Sequence, residues 1–177
     1  MYPLRRNRRL RVKEAIRDLV RETSITPEDF IVPLFVVEGT SVKQEIPSMP
    51  GYYRLSLDEL KKEIQELWGL GLKSVLLFVK VPGDLKDNEG KEALNPEGLM
   101  QRAIRTVKDV CPEMWVMTDV ALDPYSEYGH DGIVQDGKIL NDDTAEVLAA
   151  MSVSHAHAGA DMVAPSDMMD GRVLRIR

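Results

Sequence analysis

The sequence predicts an α/β fold: about four β/α units forming the N-terminal half of a (β/α)8 TIM barrel, preceded by an extended or helical N-terminal arm. Two observations carry this reading. From residue 30 onward, short apolar runs alternate strictly with amphipathic helical stretches, which implies parallel strands joined by right-handed crossovers. No G-x-G-x-x-G or Walker A context surrounds Gly39 or Gly83, the glycines after the first two runs, so a nucleotide-binding sheet has little support and the barrel is the better α/β choice. A full barrel usually needs about 250 residues and eight strands. This chain has 177 residues and ends at "RVLRIR", inside the first turns of a helix, so the expectation is a chain cut within its fourth unit.

Taken in order, residues 1–29 form the arm and residues 30–177 the partial barrel, strands one to four. "YPLRRNRRLR" sets Arg5, Arg6, Arg8, Arg9 and Arg11 ahead of Val12, Ala15, Ile16, Leu19 and Val20 at helical spacing. It is either a solvated basic tail or an arm that docks its apolar stripe on another subunit. "FIVPLFVV" (30–37) suits a strand buried on both faces, although Pro33 costs a ladder donor. Ser56 and Glu59 read as a capping box for a helix carrying Leu57, Leu60, Ile64 and Leu67, stopped by Gly69 and Gly71. "KSVLLFV" (73–79) is the second strand. Asn95 and Pro96 read as the start of a helix through Val110, and "MWVMTDV" (114–120) as the third strand. Asn141 and Asp142 open a helix to about Ala158, closed by Gly159; "DMVAP" (161–165) is a fourth strand leading to a helix start at "SDMMDG".

Composition excludes several functions. With 44% hydrophobic and 29% charged residues, the chain can bury one sizeable core. A net charge of -6 argues against nucleic acid as a partner. The single cysteine, Cys111, rules out an internal disulfide framework or a multi-cysteine zinc site and suits a reducing, cytoplasmic location. No run approaches the roughly 18 apolar residues of a membrane helix. The N-terminus lacks the apolar core of a secretory signal, and its early acidic residues argue against a transit peptide.

In a parallel barrel the loops leaving the C-terminal strand ends share one face, which carries the active site. Polar residues gather there: Glu38 after the first strand, Lys80 and Lys86 after the second, Asp119 and Asp123 after the third, Ser166 and Asp167 after the fourth. Ordinary solvated loops would be polar too. His155 and His157, two apart on a helix, do not share a face and read as core or cap residues; Met162, Met168 and Met169 read as packing.

Four stretches, "ETSITPEDFIVPLFVVEG", "IPSMPGYYRLS", "DVALDPYSEYGHDG" and "SHAHAGADMVAPSDMMDGRV", together resemble the N-terminal half of the delta-aminolevulinic acid dehydratase (porphobilinogen synthase) family. The resemblance spans essentially the whole chain. It implies a lyase that condenses two 5-aminolevulinate molecules to porphobilinogen with loss of two waters, an early step of tetrapyrrole and heme synthesis. It also implies a (β/α)8 barrel whose N-terminal arm embraces a neighbouring subunit, commonly in a homo-octamer.

At the positions of the family's three zinc-binding cysteines this chain has Ala121, Asp123 and Asp131. Carboxylate oxygens suit magnesium or a monovalent cation rather than a thiolate zinc cage, so the chain resembles the magnesium-associated branch, with Asp123 and Asp131 as candidate metal ligands. Both are also ordinary turn residues, Asp123 before Pro124 and Asp131 before Gly132. The resemblance makes Asp119 a catalytic candidate that hydrogen-bonds a substrate amine or shuttles protons, the alternative being a strand-end carboxylate that caps loop amides. It places Ser166 and Asp167 in the same mouth, where helix N-capping is the competing role. Tyr128 stands where the family often has histidine, while His130 is retained. The family's two Schiff-base lysines belong to later strands, and neither Lys80 nor Lys86 sits in the matching motif. The chain alone is therefore expected to be inactive; the alternative is a non-catalytic half barrel acting as an assembly module through its open edges.

Overall fold

The structure, a computed structural model, describes Leu4 and residues 6–177; Arg5 of the basic run lies outside the described residues. Helix α1 (Glu14–Leu19) carries Ala15, Ile16 and Leu19 of the apolar stripe, leaves Val12 and Val20 outside it, and buries none of its residues. Strand β1 (Ile31–Val37) follows, then an antiparallel pair, β2 (Lys43–Ile46) and β3 (Met49–Leu55), helix α2 (Leu57–Gly69) and strand β4 (Ser74–Lys80). Helix α3 (Leu99–Val110) leads to β5 (Trp115–Val120), and a small hairpin, β6 (Val134–Gln135) and β7 (Lys138–Ile139), precedes helix α4 (Asn141–Ala158). Strand β8 (Met162–Pro165) and the short helix α5 (Arg172–Ile176) complete the order.

The four strands read from the apolar runs all form, each beginning one residue later than its run, and pair in parallel in the order β1-β4-β5-β8. Alternation explains the ladder: Val75, Leu77 and Val79 of β4 point into the core, where Leu60, Ile64 and Leu67 of α2 and Ile104 and Val107 of α3 meet them. Burial of such side chains stabilises the layer by roughly 1.5–3 kcal/mol each. β1 meets β3 only at Phe35 and Val36, so the flank beside Pro33 carries no ladder there and the missing donor is tolerated.

Several local readings need correction. The β2–β3 pair, which widens the main sheet to six strands, lay hidden: β2 is the polar run "KQEI", and in β3 Pro50 and Gly51 mask the strand pattern. The β6–β7 hairpin turns on Asp136 (φ 50°) and Gly137 (φ 73°), both left-handed as a tight two-residue turn requires. Ser56 does not cap α2: its hydroxyl donates to Asp58 (2.6 Å) and accepts the Val42 N–H (2.9 Å), tying the hairpin to the helix start, while Glu59 pairs with Lys62. Gly69 stays within α2. Asn95 accepts the Glu97 N–H at 2.9 Å in a local turn, so α3 begins at Leu99 rather than Pro96. "SDMMDG" is a loop; α5 begins after Gly171. α4 runs as read, to Gly159 in the left-handed conformation.

His155 is fully buried and bonds Thr118 of β5 at 3.0 Å, whereas His157 is exposed. Of the three methionines read as packing, only Met169 is buried; Met162 and Met168 are exposed. No helix of the described residues is long and apolar enough to cross a membrane.

Candidate active site

Asp119 sits opposite Ala164 in the β5–β8 ladder, one residue before β5 ends, and is only 7% exposed. Ser166 follows β8, and its N–H bonds the Val120 carbonyl, which extends the ladder by one step. That register brings the Ser166 hydroxyl to Asp119, to which it donates at 2.5 Å. Burial pushes the Asp119 carboxyl above the usual carboxylate range; the Ser166 bond opposes this, and Asp123, Asp131 and Asp167 add to it.

Asp167 is buried in the same loop. One oxygen accepts the Met169 N–H at 2.7 Å, and the other lies 3.0 Å from Arg172 Nε as an ion pair whose geometry is not aligned for a hydrogen bond. Its carboxyl too is held high, chiefly by burial, with Met169 and Arg172 opposing and Asp131 adding. Asp167 therefore braces its own loop instead of capping a helix, and Ser166 spends its hydroxyl on Asp119.

The segment after β5 folds into one turn, with the Tyr125 and Ser126 N–H groups both donating to the Leu122 carbonyl. This exposes Asp123 while Leu122 packs inward, so close to the segment after β4 that a Cβ at Gly90 would lie 2.9 Å from it. The Asp123 carboxyl is raised by desolvation first and by Asp131 second, with Lys86 opposing. Asp131 is half-buried. The next residue is closely approached: a Cβ at Gly132 would lie 2.5 Å from the Ile139 side chain, which would have to shift to admit it. His130 Nδ1 accepts the Gly132 N–H at 3.2 Å, so the histidine braces the loop, and Tyr128 is exposed.

Asp119, Asp123, Asp131 and Asp167 thus share one electrostatic neighbourhood, with Ser166 bonded to its most buried member on the β5 ladder. Lys86 reaches this neighbourhood; Lys80 is exposed at the end of β4, and Glu38 is paired with Arg102 of α3. Sequence reasoning missed Tyr125, whose phenol is 2% exposed, has no hydrogen-bond partner among the described residues, and is pushed far upward by burial and then by Asp119, Glu92 and Asp123. It also missed Arg172. The available signal for Tyr125 was its place between two turn-forming residues, Pro124 and Ser126, where a buried aromatic is unexpected.

Among the described residues no group of three or more His, Cys, Asp or Glu is arranged to hold a metal ion. Asp123 and Asp131 offer hard oxygen donors, which fit a largely hydrated magnesium or a monovalent cation; Cys111 is buried ahead of β5, at the opposite end of the sheet. A recess of about 200 Å³ on the helix side of the sheet, lined by Val32, Leu34, Tyr52, Glu63 and Leu67 among others, holds none of the mouth carboxylates. The chemistry lies with the carboxylates, since the recess walls are mainly apolar and aromatic. Four like charges at parallel strand ends attract cations, and a buried, raised carboxyl bonded to a hydroxyl can both hold an ammonium and exchange a proton with it.

Residues 4–177 match the family model described as delta-aminolevulinic acid dehydratase. The delta-aminolevulinic acid dehydratase of Chlamydia pneumoniae is 48% identical over 173 residues, covering 98% of this chain and 52% of that protein. That of Bacillus subtilis is 49% identical over 172 residues, covering 97% and 52%. The crystal structure of delta-aminolevulinic acid dehydratase (porphobilinogen synthase) from Toxoplasma gondii ME49, in complex with the reaction product porphobilinogen, matches with a TM-score of 0.92 at 48% identity. It covers 98% of this chain and 49% of that one, and the chain spans about half the length of the relatives it matches. With a parallel arc of strands, an acidic mouth at their C-terminal ends and a family match over nearly all its residues, the chain belongs to the delta-aminolevulinic acid dehydratase family.

Proposed function

We propose that the acidic mouth is the substrate-handling half of a porphobilinogen synthase active site, in which two molecules of 5-aminolevulinate condense to porphobilinogen with loss of two waters. The observation that supports it is the Ser166–Asp119 bond inside a group of carboxylates at parallel strand ends. Asp119 receives the substrate ammonium and moves protons to and from it, because its raised carboxyl lies nearer the working pH than an ordinary aspartate. Ser166 orients that carboxyl. Asp167, tied to Met169 and Arg172, keeps the loop carrying Ser166 in place.

Asp123 and Asp131 would hold magnesium or a monovalent cation, which when bound would supply positive charge to offset the substrate carboxylates; a cysteine zinc centre is not part of this reading. No described lysine stands beside Asp119 in the matching motif, so the 177-residue chain alone does not turn over, and the amine nucleophiles come from residues outside it. Assembly follows the family resemblance, with the segment up to residue 29 docking on a second copy towards a homo-octamer; the exposed apolar residues Leu10, Val12 and Leu19 support that role. A reducing, cytoplasmic setting fits the lone buried cysteine. The second reading, a non-catalytic half barrel that recruits another chain, draws on β8 standing at the edge of the sheet.

The test is porphobilinogen or 5-aminolevulinate titrated into the isotope-labelled chain and followed by NMR. Saturable shifts at Asp119 and Ser166, lost in Asp119→Ala, are expected. Shifts scattered over the surface, or unchanged in that variant, would overturn the assignment.

A further inference from the structure

Two asparagines outside the acidic set tie the loops of the mouth in the same way. Asn88, in the segment after β4, donates from Nδ2 to the Val134 carbonyl at 2.9 Å and accepts the Val134 N–H at Oδ1, also at 2.9 Å. Asn141, the first residue of α4, donates to the Asp170 carbonyl at 3.1 Å and accepts the Asp170 N–H at 2.7 Å. Each side chain satisfies both backbone groups of one distant residue, as a neighbouring strand would; a short carboxamide can do this because it presents a donor and an acceptor side by side. The gripped residues hold matching places, each three positions beyond a mouth carboxylate: Val134 after Asp131, and Asp170 after Asp167.

Such ties are needed here. Four carboxylates in one neighbourhood repel one another, and loops carrying like charges spread into water unless something holds them. Next to Asn88, the Asp87 N–H bonds the Tyr125 carbonyl at 3.1 Å, so the segment after β4 holds the aspartate loop at two places along its length. Nothing in the chemistry of either asparagine touches the reacting region directly.

We propose that Asn88 and Asn141 are positioning residues that clamp the loops bearing Asp123, Asp131 and Asp167 against their own mutual repulsion, making one rigid rim from three strand-end segments. The functional value of this clamp rests on the reading of the mouth as the substrate site, but the clamp itself is tested without substrate. Asp123 faces Asp131 and Lys86; Asp167 faces Arg172 and Asp131. Opening a loop moves its carboxylate away from that company.

The experiment follows backbone amide exchange of the 177-residue chain, without substrate, residue by residue by NMR. In Asn88→Ala the Gly132 and Ile133 amides, whose own acceptors on His130 and Thr144 are untouched, are expected to exchange about 10-fold faster or more while the Met169 amide, held by Asp167, stays put; Asn141→Ala is expected to do the reverse. Amide exchange at Val134 and Asp170 should accelerate in the matching variant. Where an alanine variant does not fold, Asn88→Ser or Asn141→Ser, which is neutral and too short to grip both backbone groups, takes its place with the same site-selective acceleration expected. Unchanged exchange at these loop amides in folded variants, or both loops accelerating together whichever asparagine is replaced, overturns the clamp. Failure of porphobilinogen to bind the wild-type chain with the selective exchange intact would instead remove the reading of the mouth and leave the clamp standing.

Discussion

Replacing Ser166 with alanine removes one hydroxyl and leaves the Asp119 carboxyl buried. A hydrogen bond to a charged group contributes about 1.5–3 kcal/mol. Ser166 is itself exposed, so solvent screens part of this and about 1–2 kcal/mol is the appropriate range. The bond is the one side-chain contact holding the Asp119 carboxyl down against burial and three neighbouring carboxylates. Without it the ionised form loses support, and the Asp119 midpoint moves further up. In a completed enzyme the same loss lowers kcat/KM by about 5- to 30-fold, with the acidic limb of the pH profile shifted toward higher pH. Carboxyl-labelled NMR on the chain and porphobilinogen formation by the completed enzyme read the two halves. An Asp119 midpoint that stays in place or falls, in a folded Ser166→Ala chain, would refute the reasoning.

Other outcomes follow from the same geometry. In a completed enzyme Asp119→Ala should cost about 100-fold or more in kcat/KM, the scale of a lost acid–base group, and Asp123→Ala and Asp131→Ala clearly less, because loop oxygens can be partly replaced by water; equal, modest losses in all three would reduce Asp119 to a structural role. Zinc-selective chelation should leave activity largely intact and magnesium should be the stimulating ion; loss on zinc removal that only zinc rescues would contradict the oxygen-donor reading. His155, ordinarily near 6.5, is pushed down to about 4 by burial, so the unfolded chain takes up its proton first as pH falls. The stability His155 provides is complete above pH 6.5 and declines toward pH 4. The advantage of wild type over His155→Gln in urea unfolding should therefore shrink by about 3 kcal/mol between about pH 7 and pH 4, and a constant difference would show that the buried imidazole does not titrate with folding.

The parallel core was legible because its determinants are local. "SVLLFV" and "WVMTDV" are strands by composition and length, and helices of 12 and 18 residues follow them in turn. What sequence could not show was competition for side chains. Ser56 and Asn95 carry capping signatures, yet other donors take the oxygens a helix cap would use: the distant Val42 N–H for Ser56, and the Glu97 N–H, in a local turn, for Asn95. The β2–β3 pair depends on a distant edge at Phe35 and Val36 that no local pattern announces.

At the site, the positions of Asp119, Ser166 and Asp167 after their strands were readable, but their division of labour depended on the β5–β8 register, which turns Ser166 onto Asp119 and leaves Asp167 to Met169 and Arg172. Tyr125 and the two asparagines act across 29 residues or more, or through burial alone, so periodicity carries no trace of them.

The most direct measurement supplies the later strands. A separately expressed chain carrying the remaining β/α units of a relative, where the family resemblance puts the two Schiff-base lysines, is mixed with this chain and with its Asp119→Ala variant, and porphobilinogen is assayed from 5-aminolevulinate with magnesium present. Neither chain alone should give product, the wild-type mixture should, and the variant mixture should fall by about 100-fold or more. Product from the 177-residue chain alone, or full activity with Asp119→Ala, would contradict the assignment of the acidic mouth as the substrate-handling half of the site.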